Sequence, residues 1–146
     1  MNDPISIIFG IPTHGWLPVD FHYKSFHMEF AASDGLNDPI EELYNAINKL
    51  NDNYPGQVIW WLEPGAYYFD LEKRGDEISL IISETDDLHN SKAEKKIMQK
   101  IVSDKNGIIK PFIEAIKGFS CQMYEENDWP YRLSKSQVLE LQTKQY

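Results

Sequence analysis

The amino-acid sequence predicts an α+β fold, in which an antiparallel β-sheet of about five strands, with a central meander, packs against about four α-helices, three of them C-terminal. Three observations lead to this prediction. Short apolar runs bounded by turn residues fill most of the first 90 positions, one amphipathic helical pattern interrupts them, and helical periodicity follows residue 90. The 146 residues suit a single domain, residues 1–146, with a sizeable core.

The N-terminal region is interpreted as two strands joined by a loop. Apolar residues alternate over 5–11, which forms the first predicted strand. Pro12, Gly15 and Pro18 then indicate a loop, because proline and glycine interrupt regular structure. Residues 21–31 follow as the second predicted strand, since their second half alternates between apolar and polar side chains.

A helix is expected immediately after Asn37. Asp38 is suited to cap its free N–H groups, Pro39 suits the first helical position, and Glu41 completes a capping box. Apolar residues then recur at helical spacing and predict one buried stripe. The stripe comprises Ile40, Leu43, Tyr44, Ile47 and Leu50.

Three strands are predicted next, over residues 57–63, 66–73 and 77–84, and tight turns join them into an antiparallel meander. The first two strands carry large apolar side chains at odd and even positions alike, and therefore on both faces of the sheet. In one explanation both faces are buried, one under the first helix and the other under the C-terminal helices. In the other, one face is only partly covered and leaves aromatic rings beside acidic residues.

Three helices are predicted after residue 90. Ser91 and Glu94 form a capping box for a helix that extends to about residue 102. Apolar spacing over 109–123 predicts the next helix, and Ser134 with Gln137 caps the last one.

The charge distribution favours a protein partner. The net charge of the chain is −9, and the negative charge is concentrated in residues 1–90. This segment contains 4 Lys+Arg and 16 Asp+Glu, which gives it a net charge of −12. So acidic a segment repels nucleic acid and anionic membranes and attracts basic proteins. Neither nucleic acid nor membrane is therefore expected as a partner. No secretory signal or membrane span is recognised, and Cys121 is a single cysteine, expected as a buried thiol. These features predict a cytoplasmic protein.

No catalytic or metal-binding signature is found. His22 and His27 are five residues apart on one predicted strand, which would place them on opposite faces, so they should not share a metal. Glu84, Asp86 and Asp87 follow no calcium-loop pattern. A phosphate-binding glycine loop, a nucleophile elbow, a CxxC pair and an HExxH motif are all missing. We therefore expect no catalytic residue, no metal and no cofactor, which favours a binding protein over an enzyme.

Aromatic and acidic residues of the meander are the candidate contact residues for a partner. Interfaces combine buried aromatic anchors with a polar rim, and this segment supplies both. The predicted partner-binding residues are Trp61, Glu63, Tyr67, Phe69, Glu84, Asp86 and Asp87.

Residues 30–90 resemble a group of uncharacterised small bacterial proteins. The shared features are an aspartate-capped helix, here at Asp38-Pro39, and a W-x-E-P-G-x-Y hairpin, here over residues 61–67. An acidic strand end at Asp86-Asp87 and a late Trp129-Pro130 segment complete the resemblance, which is looser in the C-terminal third. In size, acidity and lack of catalytic motifs the chain is also similar to immunity proteins of bacterial toxin systems, such as those of contact-dependent growth inhibition. That likeness transfers no functional residue.

Three functional hypotheses follow. The first is a cytosolic immunity protein that neutralises a cognate toxin domain, often a basic nuclease, through charge complementarity and aromatic anchors. The second is a small enzyme or ligand-binding domain with a pocket between sheet and helices, to which His14, His22, His89 or the acidic loop contributes. The third is a homodimer formed through the aromatic sheet face.

Overall fold

Two antiparallel sheets and three α-helices make up the computed structural model, which describes residues 3–143. Sheet A has the order β1-β2-β3, with β1 at Ser6–Phe9, β2 at Trp16–Tyr23 and β3 at Phe26–Ser33. Sheet B has the order β4-β5-β6-β7, with β4 at Gly56–Trp61, β5 at Ala66–Arg74, β6 at Glu77–Thr85 and β7 at Lys96–Ser103. The helices are α1 at Pro39–Asn51, α2 at Lys110–Ser120, preceded by a π-helical turn at Lys105–Ile109, and α3 at Lys135–Thr143. No helix within residues 3–143 combines the length and apolarity needed to cross a membrane.

The chain is α+β, but the predicted arrangement of about five strands and about four helices, three of them C-terminal, is wrong. The described residues form seven strands in two sheets. The segment predicted as a helix from Ser91 to about residue 102 is a loop up to residue 95 and then the strand β7. The β7 ladder runs antiparallel to β6 from Ile78↔Ser103 to Glu84↔Lys96. Pairing with a distant strand outweighs the local helical pattern, because β6 would otherwise leave a row of backbone groups unpaired.

The N-terminal prediction also missed a strand and a turn. Residues 16–20, expected in a loop because of Pro18, belong to the middle strand of sheet A. Pro18 is tolerated there because it lies opposite Gly10, just past the end of β1. Its carbonyl accepts from the Gly10 N–H at 2.9 Å. Proline has no N–H to donate in return, and this costs little because the ladder with β1 ends at this point. The predicted strand 21–31 is in fact a hairpin that turns at Lys24 and Ser25.

One core joins the inner faces of the two sheets. Phe21 of sheet A and Phe69 of sheet B meet edge to face, with ring centroids 5.4 Å apart. The apolar faces of α1 and α2 complete this core, and the predicted stripe of α1 is confirmed as buried. Trp129, in the segment between α2 and α3, is also buried in it.

The first helix closes the free edge of β4. Ile59 points its N–H and C=O away from β5: the N–H donates to Glu42 Oε1 at 2.9 Å, and the C=O accepts from Asn37 Nδ2 at 2.8 Å. Lower down, Gly56 lies against Ala46 so closely that an added Cβ would be 2.5 Å from the Ala46 Cβ and 2.7 Å from its Cα. Helix α1 therefore takes the place of a neighbouring strand.

We predict that Gly56→Ala destabilises the protein by about 1 to 3 kcal/mol, because the new methyl group would push α1 away from β4. Gly118→Ala is the matched control. It lies on the exposed side of α2 with open space around its Cβ, and it should raise the free energy of unfolding by about 0.5 to 1 kcal/mol. Chemical denaturation measures both variants, and a Gly56→Ala protein as stable as the parent would contradict the proposed close approach.

Asp38 caps α1 in a partly buried position. Its carboxylate accepts from the N–H groups of Ile40 and Glu41 at 3.1 and 3.3 Å, and Pro39 occupies the first helical position, as predicted. Burial raises the pKa of the Asp38 carboxyl to about 6, against an ordinary value of 3.8. Between these two pH values the folded chain holds more of the proton than the unfolded chain, so this group's contribution to stability falls as the pH rises from about 4 to about 6.

We predict that Asp38→Asn removes this pH dependence while keeping the cap, because an amide oxygen accepts the same two bonds without ionising. The free energy of unfolding of the variant, relative to the parent, should increase by about 1 to 2 kcal/mol between pH 4 and pH 7. Asp38→Ser, a second cap that does not ionise, should follow the same curve. A difference that is flat with pH would show that the buried carboxyl is not the cause.

Candidate docking surface at one end of sheet B

The predicted contact residues converge on one end of sheet B, where β4 ends, β5 begins and β6 ends. The turn between β4 and β5 is held by a bond from the Leu62 N–H to the Gly65 carbonyl at 2.6 Å. The Leu88 N–H donates to the Pro64 carbonyl at 2.7 Å, which ties this turn to the loop that follows β6. Glu63 has a φ of 56°, in the left-handed region. The turn and the loop therefore form one continuous surface.

Four carboxylates line this surface, and they are called here the acidic rim: Glu63, Glu84, Asp86 and Asp87. Glu63 and Asp86 are exposed, and Glu84 and Asp87 are half-buried. Within residues 3–143, no side-chain nitrogen of Lys, Arg or His lies within 4.0 Å of a rim carboxylate oxygen. Lys96 lies opposite Glu84 in the ladder without forming an ion pair. The rim thus offers negative charge that the described chain does not neutralise.

The two predicted ring anchors at this end project from opposite faces of sheet B. Trp61 lies on the outer face, with its ring 5.5 Å from that of His89, and Gly35 packs against its edge. Tyr67 lies on the inner face, and the centroid of its ring is 4.9 Å from that of Phe30. Both rings are half-buried, and because they lie on opposite faces they do not share one flat surface.

Tyr67 keeps its proton beside the rim. Burial, followed by the nearby charge of Glu84, raises the pKa of the Tyr67 phenol. A neutral phenol donates a hydrogen bond and also accepts one. Phe69, the remaining predicted contact residue, is fully buried and meets the ring of Trp60 at 5.4 Å, so it supports the surface from the core.

The aromatic side chains on the outer face of β4 and β5 are covered by loops, not by helices. Lys95 lies over the Tyr68 ring, 4.3 Å from its centroid, and its Nζ pairs with Asp70 at 3.1 Å. His89 and Gly35 cover Trp61 in the same way. Sequence reasoning missed these covering residues, because loop packing leaves no periodic pattern to recognise.

A separate cavity of about 550 Å³ lies between α2 and α3. It is lined by Phe119, Ser120, Tyr124, Arg132, Leu133, Lys135, Val138, Leu139 and Gln142. None of the histidines named for an enzymatic pocket is among these residues. Cys121, expected as a buried thiol, is exposed at the end of α2, where the helix stops earlier than predicted.

Models of protein families, curated proteins and solved structures show no match to this chain. Chemically, the surface at the end of sheet B presents carboxylate acceptors, a phenol and apolar ring area. Arginine and lysine side chains pair with carboxylates and also lie over aromatic faces. The arrangement is therefore suited to a cationic protein surface.

We predict that Gly65→Ala separates the turn from the loop, because its Cβ would lie 2.9 Å from the Thr85 carbonyl oxygen. The bond from the Leu88 N–H to the Pro64 carbonyl should weaken, and hydrogen exchange at Leu88 should become at least about tenfold faster. Gly118→Ala serves again as the control and should leave that exchange rate unchanged. Unaltered protection of Leu88 in Gly65→Ala would show that turn and loop are not coupled.

Proposed function

We propose that this chain is a cytosolic, non-enzymatic protein of the immunity type, which neutralises a cognate toxin domain by docking a basic surface of that domain, such as a nuclease, onto the end of sheet B. The observation that carries this proposal is the acidic rim, four carboxylates without an ion-pair partner within residues 3–143, beside the half-buried rings of Trp61 and Tyr67.

The physical route has two parts. Long-range attraction between the rim and a basic partner accelerates encounter, and the balance of −12 over residues 1–90 adds to it. Burial of ring area then lengthens the lifetime of the complex, since most differences in affinity lie in the dissociation rate. In this scheme the rim determines the association rate, and the rings determine the dissociation rate.

We propose a revised set of contact residues for this role, based on their exposure. Six residues stay in the set, because each is exposed or half-buried at the end of sheet B. They are Trp61, Glu63, Tyr67, Glu84, Asp86 and Asp87. Phe69 leaves the set, since no part of it reaches the surface. His89 enters it, because its exposed ring lies against Trp61.

We predict that neutralising the rim slows association with the toxin-like domain encoded next to this gene. The variant carries Glu63→Gln, Glu84→Gln, Asp86→Asn and Asp87→Asn. At low ionic strength its association rate constant, measured by stopped flow, should fall at least about tenfold, and the dependence of that constant on salt should become shallower.

The matched control carries Asp52→Asn, Asp76→Asn, Glu125→Gln and Glu126→Gln, which removes the same charge from exposed positions elsewhere. Its association rate constant should change less than about twofold. Equal slowing in both variants would reduce the effect to net charge alone. If the neighbouring gene product is not toxin-like, and the purified pair does not associate, the immunity proposal fails.

A further inference from the structure

A cluster of two histidines and one aspartate lies on the outer face of sheet A. The β2–β3 hairpin places His22 directly opposite His27, and Asp20 lies two residues before His22, on the same face. The five-residue spacing had predicted opposite faces. That prediction is wrong, because the chain reverses at Lys24 and Ser25, and the two histidines belong to different strands.

The three side chains already converge on a small volume. Asp20 Oδ1 lies 2.7 Å from His27 Nε2 and 3.1 Å from His22 Nε2. The two imidazole rings are stacked, with centroids 3.9 Å apart and planes 10° from parallel. One ligand atom from each residue lies within 4.8 Å of the other two. Both ring nitrogens therefore face the same carboxylate oxygen.

We propose that Asp20, His22 and His27 form a binding site for a divalent transition metal, with Zn²⁺ as the ion of best fit. Two imidazole nitrogens and one carboxylate oxygen are a donor set that Zn²⁺ takes in proteins. Tetrahedral bonds of about 2.0 Å place ligand atoms about 3.3 Å apart. Asp20 Oδ1, at 2.7 and 3.1 Å from the two histidine nitrogens, therefore has to move away from each of them by well under about 1 Å to admit the ion. Because the rings are stacked nearly parallel, metal binding requires them to rotate about χ2 until both lone pairs point at one ion.

The donor set and the exposure of the site define its selectivity. Calcium and magnesium prefer oxygen ligands, so a site in which two of three donors are nitrogen disfavours both. Glu29 lies opposite Asp20 in the β2–β3 ladder, on the same face, and adds a second negative charge. Three protein ligands leave one tetrahedral position for water or for a donor from outside the chain.

The metal site is independent of the proposed docking function. It lies on the outer face of sheet A, whereas the acidic rim lies at the end of sheet B. Loss of either one should leave the other intact, so their tests fail separately.

The test is calorimetric titration of the full chain, free of any histidine tag, with ZnCl₂ at neutral pH. One Zn²⁺ per chain is expected. Removal of any one of the three ligands should raise the dissociation constant for Zn²⁺ at least about tenfold. The variants are His27→Ala, His22→Ala and Asp20→Asn. The histidine ring nitrogens, followed by NMR, should shift on Zn²⁺ addition at His22 and His27 only.

His14→Ala and His89→Ala are matched controls, since both histidines are exposed and lie outside the cluster. They should bind Zn²⁺ as the parent does. The proposal is overturned if the parent binds no Zn²⁺ at micromolar to sub-millimolar concentrations, or if the cluster variants bind as tightly as the controls. Far-UV circular dichroism establishes that each variant is folded, and the NMR assignment on the parent tests the site without any substitution.

Discussion

The backbone of Ile59 is the point on which the two sheets depend. It belongs to β4, an edge strand of sheet B, and an exposed strand edge invites pairing with other chains. Its N–H is bonded to Glu42 of α1 and its C=O to Asn37, the residue before the cap of that helix. Because α1 follows sheet A in the chain, these two bonds attach the helix to sheet B and close one core between the sheets. The same contact covers part of an edge that would otherwise be open to pairing with another strand.

The same strand accommodates two adjacent tryptophans because neighbouring side chains of a strand point to opposite faces of the sheet. Trp60 points inward and meets the rings of Phe9, Phe30 and Phe69, whereas Trp61 points outward and is covered by Gly35 and His89. The inner ring is fixed by a close-packed core, while the outer ring is covered only by loops. Loops open at lower free energy than core strands do. The end of sheet B therefore pairs a rigid frame with side chains that can adjust to a partner.

Local signals predicted the parts of the fold that are stabilised locally. The cap of α1 and its buried stripe follow from hydrogen bonds and spacing within one helix, and the bonds between Ser134 and Gln137 form the predicted capping box of α3. The strands β4, β5 and β6 were recognisable because tight turns join them. β7 was missed, since its conformation is decided by a strand about 20 residues away in the chain. At the site, the convergence of the acidic residues followed from the meander, but the burial of Phe69 and the covering residues depend on tertiary packing.

The histidine cluster shows how much chemistry a single unrecognised turn can hide. Parity arguments hold within one strand, and a reversal at Lys24 and Ser25 changes the relation between His22 and His27 from opposite faces to direct neighbours. Register, rather than composition, then brings both imidazoles to Asp20. No helix is needed to position them, because a hairpin fixes cross-strand pairs through its backbone ladder. Sheet A thus orients its outer face through strand pairing and its inner face through the core, and this division lets a polar cluster form on one side of a strand whose other side is fully buried.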